Sequence, residues 1–251
     1  MIIEARKNGI VLKDVACLSL PLTLDCGEAF RWEEQTDGSW SGVAYGKYLN
    51  IKEENGIFIL KDTSLADFQA VWRRYFDLDR NYAAICEKLK EDELVRETID
   101  EYYGIRILNQ EPWEALVSFV ISQQNNIKRI KGIIKRLCDT YGREIRPGWH
   151  AFPGSETLSA LSAEALAGMG LGYRAKYVKK LADDVESGKI DLAKIKAMDL
   201  DDAKKALLSI YGVGEKVANC ALLFGFQFIR CFPVDAVSYT HLRAHETCAD
   251  L

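Results

Sequence analysis

The sequence lacks the cysteine patterns that build metal clusters and extracellular scaffolds. Its seven cysteines are scattered along 251 residues, and no C-x-x-C pair occurs. This spacing excludes a zinc ribbon and the common iron–sulfur clusters. Scattered cysteines favour reduced thiols in the cytoplasm over a disulfide framework.

Long hydrophobic runs and an excess of positive charge are also missing. No stretch of 18 apolar residues and no secretory signal pattern occur, so we expect a cytoplasmic protein that does not enter a membrane. The chain has 33 Lys and Arg against 37 Asp and Glu, a net charge of −4. Composition therefore does not indicate a nucleic-acid partner. Whether the protein can bind nucleic acid depends on where the charges lie along the chain.

Two hydrophobic patterns divide the chain. Short apolar runs at 10–12, 20–24, 29–32, 40–45, 48–52 and 57–60, with turn signals Asp37-Gly38 and Asn55-Gly56, predict one twisted antiparallel sheet. From Ser64 onward the apolar residues recur at helical spacing. We therefore predict an α+β fold, with a sheet domain and following helices at 1–105 and a mainly helical domain at 106–236.

A glycine-containing turn lies in the stretch 207–236, LLSIYGVGEKVANCALLFGFQFIRCFPVDA. Gly212 and Gly214 flank Val213, so the backbone can turn sharply between two helices. The amide N–H groups at the start of the second helix are suited to a phosphate. The turn therefore predicts a helical hairpin that binds a phosphate backbone.

Three reactive side chains follow this turn. Lys216 lies in the first turn of the second helix, Cys220 lies one turn further on the same face, and Asp235 follows Pro233-Val234. By itself this is also the pattern of an ordinary hairpin with a surface lysine and a core cysteine. The combined spacing, however, resembles the helix-hairpin-helix and Gly-Pro-Asp signature of base-excision DNA glycosylases, in its 8-oxoguanine DNA glycosylase form.

The resemblance implies a reaction and roles for these residues. Lys216 would attack C1′ of the sugar, Asp235 would stabilise the cation that develops there, and Cys220 would pack against the flipped base. An amine attacks only in its neutral form, so the site must favour that form. The resulting Schiff base would permit β-elimination, which implies a bifunctional glycosylase and AP lyase without a metal or redox cofactor.

Three more segments resemble the same family, in the same order. The segment CGEAFRW at 26–32 implies that the carbonyl of Gly27 reads the N7–H of 8-oxoguanine. The segment SQQNNIKRI at 122–130 implies that Gln124, which stands where the family has an asparagine, fills the space left by the base. Asn125 matches the family in the same group of opposite-base and wedge residues, and Arg129 would help to read the opposite cytosine. The third segment is GLGYRAKY at 170–177.

In this third segment the resemblance assigns Tyr173 as a wedge beside the estranged base and Arg174 as a hydrogen-bond donor to cytosine. Two runs without acids, 128–136 and 174–180, flank these residues and would hold DNA phosphates. The implied partner is double-stranded DNA containing oxidised guanine, bound by a monomer.

The C-terminal segment departs from the family pattern. The family continues with helices that close the base pocket, whereas residues 237–251 read VSYTHLRAHETCADL, with Val237 at a position for an aromatic residue or His. We interpret 237–251 as a foreign tail that resembles translated adapter sequence. Two alternatives therefore stay open: a monofunctional alkylbase glycosylase that uses Asp235, and a helix-hairpin-helix DNA-binding module inactive through truncation.

Overall fold

A computed structural model describes residues 1–233. Its N-terminal half contains one six-stranded sheet in which all neighbouring strands are antiparallel, in the order β1-β2-β6-β5-β4-β3. The strands are β1 (Ile2–Arg6), β2 (Gly9–Lys13), β3 (Trp32–Glu34), β4 (Trp40–Ala44), β5 (Lys47–Glu54) and β6 (Ile57–Lys61). The predicted turns at Asp37-Gly38 and Asn55-Gly56 join β3 to β4 and β5 to β6, so this part of the meander is confirmed.

The prediction of a strand at 20–24 was wrong. These residues form helix α1 (Leu20–Leu24), with Ser19 as the N-cap residue and Pro21 in the first turn. Proline fixes a helical φ and gives up an N–H that has no partner at that position anyway. The apolar run 29–32 contributes only Trp32 to a strand, and β1 was not predicted.

The sheet packs around Trp32. This side chain is fully buried, and its Nε1 donates a hydrogen bond to the hydroxyl of Tyr75 at 2.8 Å. Gly42 lies opposite Trp32 in the β3–β4 register, and a Cβ there would come within 2.4 Å of the indole ring. The glycine is therefore required by the close approach of the ring.

Helices follow the sheet. The first group is α2 (Leu65–Asp67), a π-helical turn (Phe68–Trp72), α3 (Arg73–Tyr75), α4 (Tyr82–Leu89) and α5 (Glu93–Glu101). The second is α6 (Pro112–Ser122), α7 (Ile127–Tyr141), α8 (Ser155–Ser159), α9 (Ala163–Leu166), a π-helical turn (Ala167–Leu171), α10 (Arg174–Glu186), α11 (Leu192–Lys196), α12 (Leu200–Leu208) and α13 (Glu215–Phe224). A short ribbon of β7 (Glu144–Arg146) and β8 (Trp149–His150) follows α7. The α+β prediction is confirmed.

The apolar side chains form two cores. One contains the sheet residues, the aromatic residues of 68–76 and Leu108; the other contains α6, α7, α10 and α13. The chain passes from the first core to the second between Leu108 and Trp113, while Phe30 of the sheet half packs in the second core. The domain limits at 105 and 236 stay predictions. In residues 1–233, every helix is too short or too polar to span a bilayer.

Candidate functional site

The helical hairpin forms as predicted. Helix α12 ends at Leu208, and α13 begins at Glu215 after a turn in which Gly212 has a φ of +85°. A Cβ at position 212 would lie 2.3 Å from the ring of Tyr177, so only glycine fits this contact. Gly214 is the N-cap residue of α13 and has no side chain to bind the first N–H groups. The positive end of this helix therefore presents N–H donors to an anion.

A cavity of 570 Å³ lies between the hairpin and the sheet half, and we call it the main cavity. Lys216 and Cys220 line it from α13, Gly27 lines it from the loop after α1, and Asn125 lines it from the turn after α6. Its volume is in the range of small-molecule sites. Four side chains or backbone groups assigned separately from sequence thus meet at one cavity.

Three aromatic rings form one wall of the main cavity. Phe119 packs edge-to-face on Phe30 at a centroid distance of 5.8 Å and stacks on Phe224 at 5.6 Å with an interplanar angle of 24°. Such apolar faces favour a flat, aromatic ligand, because they replace the stacking that a base loses outside the duplex. The buried Cys220 thiol lies in the same lining.

Lys216 lies where the main cavity meets a second depression. This hairpin groove, of 330 Å³, is lined by residues of the turn after α6 and by Gly214, Glu215, Lys216 and Val217. Lys216 and Ser122 line both spaces. A ligand with a base in the main cavity and a sugar-phosphate in the groove would therefore have its sugar next to Lys216.

The turn at 123–126, here called the amide turn, separates α6 from α7. Gln124 has a φ of +47°, in the left-handed region that only a few non-glycine residues adopt. Asn125 donates from Nδ2 to the carbonyl of Ile121 at 3.2 Å. Asn126 caps α7, since its Oδ1 accepts the N–H of Arg129 at 2.9 Å. The exposed Gln124 thus sits at the tip of a turn that its neighbours hold.

Arg174 is the main support of the amide turn. It is 3% exposed, and its guanidinium donates to the carbonyls of Gln123, Gln124 (2.9 Å) and Leu171 (3.4 Å). The carbonyls of Gln123 and Gln124 directly follow the C-terminal end of α6, where a cation is electrostatically favourable. The predicted hydrogen bond from Arg174 to cytosine stays a prediction, and it requires some of these bonds to open.

Tyr173 and Arg129 are placed differently from Arg174. Tyr173 is 47% exposed, and its hydroxyl lies 3.4 Å from the side-chain oxygen of Gln124. Arg129 is exposed in the first turn of α7 and forms no ion pair within residues 1–233. Both side chains are therefore accessible to a partner on the same face as the amide turn. Asp235 lies outside the described residues.

The two basic runs carry less available charge than their sequence indicates. Lys131 pairs with Asp25 (2.5 Å) and Lys135 with Asp139 (2.9 Å). In the second run the side chains of Lys179 and Lys180 pair with acids four residues later. Within the described part of the chain, four cations of the two runs remain exposed without an ion pair: Lys128, Arg129, Arg136 and Lys176. Arg136 donates to the carbonyl of Met169.

Several residues that shape the site were not singled out from sequence. They include Glu28 and Ser122, which line the main cavity, and Gln110, which is buried beside it. The motif CGEAFRW contains an acid between apolar residues, which was a signal that Glu28 is buried. Gln110 gave no such signal, because its contacts are with residues distant in sequence. Among residues 1–233, no three His, Cys, Asp or Glu side chains are grouped closely enough to hold a metal ion.

Family models match both halves of the chain. The 8-oxoguanine DNA glycosylase N-terminal domain matches residues 10–116. The HhH-GPD superfamily of base excision DNA repair proteins matches residues 117–245. The chain belongs to the HhH-GPD superfamily. Its sheet half is similar to the N-terminal domain of the 8-oxoguanine branch, as the CGEAFRW motif predicted.

Individual superfamily members agree with this assignment. The chain is 32% identical to an N-glycosylase/DNA lyase of Saccharomyces cerevisiae and 29% identical to N-glycosylase/DNA lyase OGG1 of Arabidopsis thaliana, in each case over 87% of its length. It spans 65% and 63% of these two proteins. The Clostridium acetobutylicum 8-oxoguanine glycosylase/lyase, solved with double-stranded DNA containing cytosine opposite 8-oxoG, superposes with a TM-score of 0.94 at 32% identity, covering 97% of this chain and 85% of that chain.

The contacts of Arg174 generate a stability prediction. Arg174→Ala leaves the carbonyls of Gln123 and Gln124 without their buried donor, so the free energy of unfolding in urea should fall by about 1–3 kcal/mol. Hydrogen exchange of amides in the amide turn should become faster. Arg129→Ala is the matched control, because it removes an exposed arginine five residues after Gln124. It should leave both the free energy of unfolding and the exchange rates unchanged. Unaltered exchange in Arg174→Ala would contradict the supporting role.

Proposed function

We propose that this protein removes 8-oxoguanine from double-stranded DNA opposite cytosine and then cleaves the strand at the abasic site. The observation that carries this proposal is the main cavity, where Gly27 of an 8-oxoguanine-type N-terminal domain faces the same space as Lys216 and Cys220 of the hairpin helix. We propose further that it acts as a monomer in the cytoplasm; the scattered cysteines support a reducing compartment.

Base removal requires the lesion to leave the helix, because its glycosidic bond is inaccessible in a stacked duplex. The aromatic wall of Phe119, Phe224 and Phe30 would receive the flipped base, and Cys220 would pack against it. The carbonyl of Gly27 would accept the N7–H that 8-oxoguanine has and guanine lacks. Gln124, at the tip of the amide turn, and Tyr173 would occupy the space left in the duplex.

Lys216 would supply the nucleophile. Its Nζ forms a bond to C1′ as the bond from C1′ to the base breaks, and the base leaves with the electron pair and takes up a proton. The amine loses a proton, and opening of the sugar ring gives an imine. Loss of a proton from C2′ then expels the 3′ phosphate oxygen and cuts the strand. Asp235, assigned from sequence, would stabilise the positive charge on the sugar.

The covalent step can be tested by trapping. Borohydride reduces an imine to a stable amine, so wild-type protein incubated with an 8-oxoguanine duplex and borohydride should give a protein–DNA adduct on a denaturing gel. Lys216→Gln should give no adduct. Lys204→Gln is the matched control, because Lys204 lies on the first helix of the same hairpin and pairs with Glu215.

Three outcomes separate the candidate functions. Base release without an adduct in the wild type would identify a monofunctional glycosylase, and lesion binding without base release would identify a binding module. Base release at the wild-type rate in Lys216→Gln would disprove the lysine mechanism while leaving the family assignment intact.

DNA binding should depend on the exposed lysines without ion pairs. For each phosphate that a variant no longer neutralises, the slope of log K against log salt becomes shallower by about 0.9. Lys128→Ala with Lys176→Ala should therefore flatten the slope by the equivalent of roughly two phosphates. Lys131→Ala with Lys135→Ala, which removes two lysines already paired with acids, should change it much less. Equal changes in the two double variants would show that the ion pairs do not limit phosphate binding.

Recognition of the opposite base should depend on Arg129, because its side chain is exposed beside the amide turn. Arg129→Ala should reduce the preference for cytosine over the other three bases by about 1–3 kcal/mol, the discrimination of one good base contact. Excision rates with each opposite base measure this preference. Arg129→Lys keeps the charge and is the control for phosphate binding. An equal loss with all four bases would assign Arg129 to the backbone instead.

A further inference from the structure

A buried polar bridge connects the loop that carries Gly27 with the end of α13. Gln110 is 5% exposed, and its side-chain Nε2 donates to the backbone oxygen of Glu28 at 2.5 Å. Its backbone N–H donates to the carbonyl of Phe224, the last residue of α13, at 2.9 Å. One residue thus joins the loop of Gly27 to the helix of Lys216.

Glu28 completes this bridge. It follows Gly27 directly, so the two residues share the peptide group to which the Gly27 oxygen belongs. The Glu28 side chain is 5% exposed, its Oε2 accepts the N–H of Leu108 at 3.3 Å, and its Oε1 has no hydrogen-bond partner among the described residues. Burial raises the pKa of the Glu28 carboxyl well above its usual range. A neutral carboxyl resembles a glutamine amide in shape and in hydrogen bonding.

We infer that Gln110 and Glu28 are positioning residues that hold the carbonyl of Gly27 at a fixed distance from the helix of Lys216. The inference rests on the proposed function, in which that carbonyl detects the lesion. Gly27 has a φ of +91°, and a glycine can leave this conformation easily because it has no Cβ. The peptide therefore depends on its neighbours for its orientation, and a single hydrogen bond discriminates only when its acceptor is held in place.

Binding measurements test the inference without requiring turnover. Three duplexes are compared in a Lys216→Gln background: one with 8-oxoguanine, one with guanine and one with a stable abasic analogue, each opposite cytosine. Gln110→Leu and Glu28→Ala should each lower the ratio of affinities for 8-oxoguanine and guanine by roughly 10- to 100-fold, since displacement by about an ångström can cost that much. Affinity for the abasic duplex should change by less than about twofold, because no base enters the cavity.

Two further variants separate positioning from general destabilisation. Glu28→Gln retains the neutral shape and should keep the affinity ratio within about twofold of the parent. Asn50→Ala removes a buried amide of β5 that donates to Ser39 at 2.7 Å and to Ser41 at 3.0 Å, so it loses comparable hydrogen bonds away from the main cavity. It should lower stability and leave the affinity ratio unchanged.

The outcomes distinguish this inference from the function on which it rests. If the parent prefers 8-oxoguanine and Gln110→Leu keeps that preference, the bridge does not position Gly27 and the inference is overturned. The same holds if Asn50→Ala lowers the ratio as much. If the parent has no preference for 8-oxoguanine, the proposed lesion and this inference are both wrong.

The protonation state of Glu28 is open to a separate measurement. Folding raises the pKa of the Glu28 carboxyl. The contribution of this group to the free energy of unfolding is therefore complete below about pH 4.5 and is lost as the pH rises through the folded-state pKa. The unfolding constant should rise by up to about tenfold per pH unit relative to Glu28→Gln. The groups that interact electrostatically with this carboxyl are Cys26 and Tyr75, whose pKa values burial raises. Lys216 lines the same cavity, and the buried Arg106 lies two residues before Leu108, which donates to Glu28. Equal slopes for both proteins would show a charged Glu28 and overturn its role as an amide-like support.

Discussion

The arrangement of the site depends on the hydrogen bonds made to backbone carbonyls at and just after the C-terminal end of α6. The last carbonyls of a helix have no partners within it, and at α6 the side chains of Ser122, Gln123 and Asn125 donate to them. The next two carbonyls, those of Gln123 and Gln124, accept from the buried guanidinium of Arg174. The side chain of Gln123 continues the connection, since its Nε2 donates to the carbonyl of Gly212 at 2.9 Å. The amide turn, the start of α10 and the hairpin turn are thereby fixed to one another. Gln124 and Lys216 keep their relative positions because of this polar junction.

The main cavity exists because two cores meet without merging. The sheet core ends at Leu108, the helical core begins at Trp113, and Gln110 lies between them with both backbone and side chain bonded. Phe30 crosses from the sheet half to form part of the cavity wall. A site at such a boundary can take its recognition groups from one core and its nucleophile from the other. The boundary has to be rigid for that division to work, and buried hydrogen bonds provide this rigidity more specifically than apolar contacts do.

Local patterns in the sequence predicted much of this structure. Helical periodicity placed Lys216 and Cys220 on one face, and both do line one cavity. The turn Asn55-Gly56 predicted its hairpin because only a few residues adopt that backbone. The strand prediction from hydrophobicity was wrong at 20–24. Hydrophobicity alone could not distinguish a strand from a helix there, and the proline near the start of the apolar run favoured the helix.

Long-range contacts account for what could not be predicted. The bonds of Arg174 reach carbonyls 50 and 51 residues away, so no local pattern indicates that this arginine is buried. The pairing of Lys131 with Asp25 spans 106 residues and is equally hidden. The pairs formed by Lys179 and Lys180 are different, because their i,i+4 spacing is visible in the sequence and the neutralisation of that run could have been predicted.

This neutralisation bears on the proposed function, in which a protein with a net charge of −4 would find a rare lesion. Non-specific affinity for DNA grows with the number of phosphates that free cations contact. Acids pair with the lysines at 131, 135, 179 and 180, so fewer cations in the two basic runs would hold undamaged DNA than their sequence indicates. Under the proposed function, directional groups would supply the rest of the binding, namely the N–H donors at the start of α13, the amide turn and the main cavity. Because the cavity contributes only when a base enters it, a weak electrostatic background increases the ratio of lesion binding to non-specific binding.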